Sequence, residues 1–539
     1  MKLFKSFALV AFAATTLFNC GSASNVLSTP LENIDRMPLK TSELTDAEKE
    51  HWGHLDLKND TIPGMSVDKA YNEIIKNKKG ATVIVAVIDS GIDIDHADMQ
   101  GVIWTNPKEI PGNGIDDDKN GYVDDIHGWN FLGDGYDEQL EYVRLLASGD
   151  TSNPRYAEAK AERQADYDKY AGIKTNYEQF LQQIKNADDA LARETKKENY
   201  TEEDVDAIST SNATLKQYVA IAKYVYSMDF KTLKAAIEDI SEGLVDINDR
   251  LNYNLNVDFR GRKTGDNPDD MVEKYYGNGN VKPVKPSESH GTHVAGIIAA
   301  VRNNGIGANG VANNVKIMSI RAVPNGDEYD KDIALAIRYA ADNGAKVMNF
   351  SFGKHYSPHS DWVRDAIVYA ASKDVLLVNA AGNEAIDLDT KNVYPNDAID
   401  NGPEVADNFI TVGSLDSSYG SGMVSGFSNY GKINVDIFAP GGEIYSTIPG
   451  NEYKSLGGTS MAAPGVAGIA ALIRSYYPNL TAPQVKKVIL DSGLALTTKV
   501  IVGGDPTNIK PFGELSKSQK TANAYNALIL ADQLSKNSN

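Results

Sequence analysis

A carboxylate, an imidazole and a hydroxyl, each set in a short run of small residues, are the groups of this chain best placed to do chemistry. Asp89 lies in Ala86-Val87-Ile88-Asp89-Ser90-Gly91-Ile92. His290 opens His290-Gly291-Thr292-His293-Val294-Ala295-Gly296, and Ser460 sits in Gly457-Gly458-Thr459-Ser460-Met461-Ala462-Ala463-Pro464. A serine hydroxyl is a weak nucleophile until an adjacent base takes its proton. Histidine titrates in the range such a base needs, and a carboxylate fixes the ring's tautomer and stabilises the imidazolium. Glycines keep a serine accessible, and a helix start offers backbone N–H groups to developing negative charge. A fourth run, Val378-Asn379-Ala380-Ala381-Gly382-Asn383-Glu384, carries side-chain amides, one of which could donate to a tetrahedral oxyanion.

A second kind of chemistry is written in Asn113-Gly114-Ile115-Asp116-Asp117-Asp118-Lys119-Asn120-Gly121-Tyr122-Val123-Asp124-Asp125. Oxygen ligands recur at alternate positions, Asp116, Asp118 and Asn120, with Gly121 for the sharp turn, as in the opening of a calcium loop. The Tyr122 carbonyl follows, and Asp124 or Asp125 would close the site. His127 stands at the twelfth position, where an EF-hand has a bidentate glutamate, so a helix-loop-helix is not expected. Unscreened, the carboxylates repel one another, which gives a bound calcium a structural role.

These motifs need rigid elements behind them. Thr82–Ile88 is a continuous β-branched run, the mark of a strand buried on both faces of a parallel sheet. Strands are also expected at Val315–Val323, Lys346–Ser351, Val375–Asn379, Phe409–Val412 and Asn434–Phe438. Helices are expected at Lys331–Asn343, closed by Gly344, and at Ser360–Lys373. Alternating strands and helices predict an α/β, doubly wound parallel sheet, whose ligands sit beyond the carboxyl ends of the strands, where the motifs fall.

The alternation is interrupted from about 135 to 279. Ile173, Tyr177, Phe180, Ile184, Ala187 and Leu191 form one heptad seam, and Leu233, Ile237, Ile240, Leu244, Ile247 and Leu251 form another. Thr201-Glu202-Glu203-Asp204 reads as a capping-box helix start. The expectation is an inserted all-helical domain, an antiparallel hairpin with an extra helix. It is either an embellishment packed on the core or a lid, exosite or arm that docks a protein partner.

With 539 residues and a formal net charge of -20, the chain has no basic face for a phosphate backbone, which excludes nucleic acid as a partner. Lys2 and Lys5 followed by the apolar run Phe7–Phe18 read as an export signal too short to span a bilayer. Cys20 is the only cysteine, so an internal disulfide is excluded; its position resembles a lipoprotein acceptor, which would anchor the exported chain to a membrane. Residues 21–64 are polar and proline-bearing and read as a linker or short pro-region.

Taken in the order Asp, His, Asn, Ser, the four motifs closely resemble those of the subtilase family, over about 65–134 and 280–539. The resemblance implies a serine endopeptidase acting through an acyl-enzyme on protein or peptide substrates, with Asp89 as orienter, His290 as base and acid and Ser460 as nucleophile. Asn383 and the backbone N–H of Ser460 would hold the oxyanion, and His293 would only pack. Asn349-Phe350-Ser351-Phe352-Gly353 is similar to the family's edge strand, which pairs with substrate backbone through Ser351 and Gly353. A pocket for the substrate side chain would lie behind Ser351–Gly353 and beside Ala381 and Gly382. Acidic loops like that of 113–125 also occur in subtilases. An α/β-hydrolase would want G-x-S-x-G and the order Ser, acid, His, and a zinc peptidase H-E-x-x-H; neither is present. The competing expectation from another class is a catalytically idle surface binding protein that works through its helical arm.

Overall fold

The structure, a computed structural model, describes residues 40–537, so the export signal and Cys20 lie outside the described residues. Seven parallel strands carry the fold: β1 (Val83–Asp89), β2 (Gly128–Asn130), β3 (Val315–Arg321), β4 (Val347–Phe350), β5 (Leu376–Ala380), β6 (Phe409–Leu415) and β7 (Ile437–Pro440). They lie in the order β7-β6-β5-β4-β1-β3-β2, and short strands Lys520–Thr521 and Leu494–Ala495 extend the sheet beyond β7. The β-branched run of β1 behaves as expected of a doubly covered strand. Val83, Val85 and Val87 face one core layer, and Ala86 and Ile88 face the other. From β1 the chain passes to β2 and β3 on one side and then crosses to β4 on the other. The carboxyl end of β1 is therefore the point at which strand order reverses, where open α/β sheets bind their ligands.

One face of the sheet is covered by α9 (His290–Ala299) and α12 (Thr459–Tyr476), joined by α13 (Ala482–Ser492) and α14 (Ala524–Asn537). The other is covered by α10 (Asp330–Asp342) and α11 (Ser360–Ser372). Both helices begin and end within two residues of the positions expected from periodicity.

Residues 45–64 are not a linker. They form α1 (Asp46–His51), a short 3-10 turn at Trp52–His54 and α2 (Leu57–Asp60), followed by α3 (Val67–Ala70). Trp52 is buried, and its indole N–H is shared between the carbonyls of Gly442 and Glu443, at 3.1 and 3.3 Å. Burial of that ring outweighs the polar character that made the stretch read as unstructured.

The insertion comprises α4 (Glu141–Ser148), α5 (Tyr156–Thr195), α6 (Glu202–Asp206), α7 (Ala213–Tyr226) and α8 (Leu233–Asp249). Forty residues at 1.5 Å rise make α5 about 60 Å long. Its distal half packs against both α7 and α8 through Ile184, Ala187, Leu191, Leu233, Ile240 and Leu244, so the two seams do meet. Tyr177 is the departure, being half exposed at the seam's edge with its ring against Gly243. Among the described residues no helix is long and apolar enough to cross a membrane.

Candidate active site

Asp89 ends β1 and is 1% exposed; His290 begins α9, with its side chain 39% exposed. Their side chains meet, His290 Nδ1 to Asp89 Oδ1, at 2.7 Å. A carboxylate can only accept there, so Nδ1 carries the proton and the Nε2 lone pair is left to act as a base. Burial alone would depress the imidazole's pKa; the charge of Asp89 and its hydrogen bond outweigh that and raise it above its ordinary value. The close approach depends on Gly291, whose backbone packs on the loop after Asp89: a Cβ there would lie 2.6 Å from Ser90 O.

Two residues absent from the sequence reading hold this pair in register. Glu288, two positions before His290, accepts from Gly91 N–H and Val284 N–H, each at 2.7 Å, and forms an ion pair with Arg321 at the end of β3. Both side chains are fully buried. Their only sequence signal was an acidic residue near the histidine motif and a basic one ending an apolar strand.

Ser460 sits in the first turn of α12, on the same side of the sheet as His290. Its hydroxyl donates to the carbonyl of Ser351 at 3.1 Å, and no hydrogen bond joins it to His290 among the described residues. Of the three side chains, Asp89 and His290 are thus joined, while the serine hydroxyl bonds Ser351 O instead. Asn383 accepts from Thr459 N–H (2.9 Å) and from the Thr459 hydroxyl (3.0 Å), which identifies its oxygen and frees Nδ2. A Cβ built on Gly458 would stand 3.5 Å from Asn383 Nδ2 and 3.6 Å from Ser460 N. Two N–H donors therefore flank one small space beside Ser460, which would suit a developing oxyanion. Thr459 ties the two loops together, since its hydroxyl also accepts from Gly382 N–H at 3.0 Å. Gly382 has φ +100, and a Cβ there would lie 2.4 Å from Asn429 Nδ2, so no other residue fits. His293 is buried, bonds the Lys454 carbonyl and is lowered to about 4 by burial, which suits packing rather than catalysis.

The expected substrate contacts are only partly available. Gly353 is exposed and Gly382 half-buried, but Ser351, Phe352 and Ala381 are buried. Phe352 packs on Phe350, and Ala381 bonds through its N–H to Val412 O. The strand before them is also no edge: β4 lies between β5 and β1 in the middle of the sheet. Only the residues after Phe350, as they leave the sheet, can offer backbone to a ligand.

In the acidic loop, oxygens of Glu109, Asp116 and Asp118 lie within 4.8 Å of one another. Glu109 was not foreseen, and its Oε2 is buried without a partner, as a carboxylate oxygen waiting for a cation would be. Asp116 and Asp118 also accept from Asn120 N–H, and Asp116 from Gly121 N–H, which shapes the turn. The Asn120 side-chain oxygen accepts from Tyr122 N–H, and the Tyr122 ring packs in the core. Asp125 is the clear correction. It turns inward, accepting from Asn106, Asn120 and the Tyr339 hydroxyl, and burial raises its pKa. The residues present fit a calcium ion held chiefly by Glu109, Asp116 and Asp118.

An aspartate–histidine pair at the switch point of a parallel sheet, beside a helix-start serine and an amide donor, defines a site of the serine-nucleophile class. The sequence model of the Subtilase family matches residues 80–520, and the chain belongs to that family. It is 44% identical over 188 residues to a thermophilic serine proteinase of Bacillus sp. (strain AK1), covering 35% of this chain and 43% of that protein. It is 42% identical over 187 residues to thermitase of Thermoactinomyces vulgaris, covering 34% and 61%. It is 29% identical over 372 residues to subtilisin-like protease 2 of Plasmodium falciparum, covering 68% and 26%. In each comparison the chain spans less than two thirds of its relative.

Proposed function

We propose that the chain is a serine endopeptidase that hydrolyses peptide bonds of protein substrates through an acyl-enzyme. The observation that carries this reading is the 2.7 Å bond between His290 Nδ1 and Asp89, which leaves the Nε2 lone pair free to act as a base. Rotation of the Ser460 side chain away from Ser351 O would bring its proton to Nε2 as the oxygen attacks a carbonyl carbon. The new C–O⁻ would take donors from Asn383 Nδ2 and Ser460 N–H. Collapse expels the amine, which takes its proton from His290, and a water molecule repeats the sequence to free the acyl group. Asp89 stays ionised throughout and stabilises the imidazolium.

Calcium would be structural, bound between Glu109, Asp116 and Asp118, neutralising carboxylates that otherwise repel. Export beyond the cytoplasmic membrane, with a lipid anchor at Cys20, is the reading the first twenty residues support. The helical insertion remains available to a protein partner.

The reading is tested by labelling Ser460 with a fluorophosphonate and by casein hydrolysis, each with Ser460→Ala as control. Labelling and cleavage should vanish together in the variant. A correctly folded wild-type chain that neither labels nor cleaves would overturn it.

A further inference from the structure

One face of α8 touches the body on both sides of the site. On the first side, Val323 N–H donates to Asp89 O at 3.1 Å, and two residues further on Asn325 Nδ2 donates to Asp249 of α8 at 3.2 Å. On the second, the antiparallel hairpin of Ile444–Ile448 and Glu452–Leu456 leads into the turn of Ser460. Lys454 of that hairpin reaches Glu242 of α8, Nζ to Oε2 at 3.4 Å, while its carbonyl accepts from His293 Nε2 at 2.9 Å. Glu242 and Asp249 are seven residues apart, nearly two turns, so they share a face and stand about 10 Å apart along the helix. This stretch of α8 is a bar laid from the Asp89 side of the site to the Ser460 side. The loop that delivers His290 runs by the same bar: Lys285 Nζ bonds Asp137 at 2.6 Å and lies 5.7 Å from the ring of Tyr253, in the turn that continues α8.

The imidazole lies deep. Burial is the foremost influence on the pKa of His290 although 39% of its side chain is exposed. A ring that is open to water yet surrounded by protein sits on the floor of a recess.

The bar is held unequally. At the root of the insertion the Lys354 ammonium, 1% exposed, bonds Glu141 of α4 and Asp330 of α10 at 2.9 Å each. At the hairpin, Glu242–Lys454 is the one ion pair with α8 among the described residues, and both side chains are more than half exposed. Burial and Glu242 raise the pKa of Asp246, one turn further on, and Lys454 opposes them, so the ammonium faces both carboxylates. An exposed pair of this kind contributes little and is screened by salt. Between the firm root and the light contact, α8 ends in a π-helical turn, Arg250–Asn254, a break in α-helical bonding at which a helix bends most readily.

We propose that α8 is a gate over the site, latched by Glu242 and Lys454, which selects substrates by bulk. Extended, slender polypeptide reaches Ser460 with the gate closed, whereas a peptide bond in a loop of a folded domain needs it open. The inference rests on the peptidase reading and adds to it a pair of specificity-determining residues remote from the bond cut. Because one exposed pair holds the gate, single charge changes and salt both shift its population.

The test presents one scissile sequence in two ways, as a free peptide and as a short loop inserted in a folded carrier domain, and reads the ratio of the two kcat/KM values. Glu242→Arg sets two cations face to face. It should raise the loop-to-peptide ratio about fivefold, the most that such a pair contributes, with free-peptide cleavage and the rate of Ser460 labelling unchanged. Exchanging the charges, Glu242→Lys with Lys454→Glu, should return the ratio towards that of the wild type, which a merely structural role would not do. Molar salt should raise the ratio in the wild type and not in Glu242→Arg, with melting curves checking that each variant folds. A ratio unmoved by Glu242→Arg, or free-peptide cleavage that changes in step with loop cleavage, would overturn the gate and leave the peptidase reading intact. No cleavage of either substrate together with no labelling of Ser460 would overturn both.

Discussion

Ser460 and Ser351 hold each other by reciprocal bonds: the Ser460 hydroxyl donates to Ser351 O at 3.1 Å, and the Ser351 hydroxyl to Ser460 O at 2.8 Å. The turn that carries Ser460 is thereby fastened to the backbone that leaves β4. Ser351→Ala removes one of these buried bonds and strips Asn349 Nδ2 of its partner. The expected cost is about 1–3 kcal/mol. Urea unfolding of this variant in a Ser460→Ala background, where self-digestion is absent, checks it.

The pH dependence follows from the raised pKa of His290. The base must be neutral, so activity is lost as pH falls through that pKa, and the acidic limb of kcat/KM should lie above ~6.5, the ordinary histidine value. In Asp89→Asn only burial is left acting on the ring, so the limb should move to lower pH. Turnover should drop about 10⁴-fold, a magnitude taken over from the serine proteases in which this step is known. A pH–rate profile of both proteins decides the matter; an unmoved limb would break the link between Asp89 and the base.

Asn383 does two things that substitutions separate. Its oxygen caps Thr459, while its nitrogen faces the space beside Gly458. Asn383→Asp keeps the cap and loses the donor, whereas Asn383→Ala loses both. Each should lower kcat about 10²–10³-fold with KM little changed, magnitudes taken over from subtilisin itself. Only Asn383→Ala should also lower the melting temperature.

Removal of calcium should destabilise the fold. A site filled at a thousand times its Kd contributes about 4 kcal/mol. A chelator should therefore lower the melting temperature of the wild type and leave Glu109→Gln, already weakened, nearly unaffected. Equal sensitivity of the two proteins would place the ion elsewhere.

The buried Glu288–Arg321 pair predicts a large effect from a small change. Glu288→Gln leaves the guanidinium without its counter-charge and should cost about 3–5 kcal/mol, measured by denaturation in the Ser460→Ala background.

Much of this was legible in the chain because strong local signals fixed it. The alternating faces of Val83–Ile88 required a doubly covered strand, and four motifs, two following strands and two opening helices, pointed to a common site. What stayed hidden depends on contacts between distant positions. Glu109 joins the acidic loop from outside its repeat, and Trp52 docks on Gly442 across nearly the whole chain. Asp125 looked like a ligand because it is a carboxylate in sequence with the others, yet Asn106 and Tyr339, which pull it inward, are remote. The stretch Ser351–Gly353 read as an edge because Asn349–Gly353 resembles the family's substrate-pairing strand. That β4 itself is flanked on both sides is a property of the sheet's order, which no single strand reveals.

The helical arm enters and leaves through one doorway. Leu140 N–H donates to Asn254 O at 3.1 Å, and the Asn254 side chain donates to the carbonyls of Glu138 and Asn325 at 2.8 Å each. A detour whose two ends are laced together in this way behaves, for the remainder of the polypeptide, as a short hairpin. The entropy lost in bringing Asp89 to His290 grows only with the logarithm of the loop between them, and a prefolded arm shortens that loop further. The subtilase scaffold can thus host so large an appendage, or exchange it for a tight turn, without redrawing the sheet that brings Asp89 and His290 together.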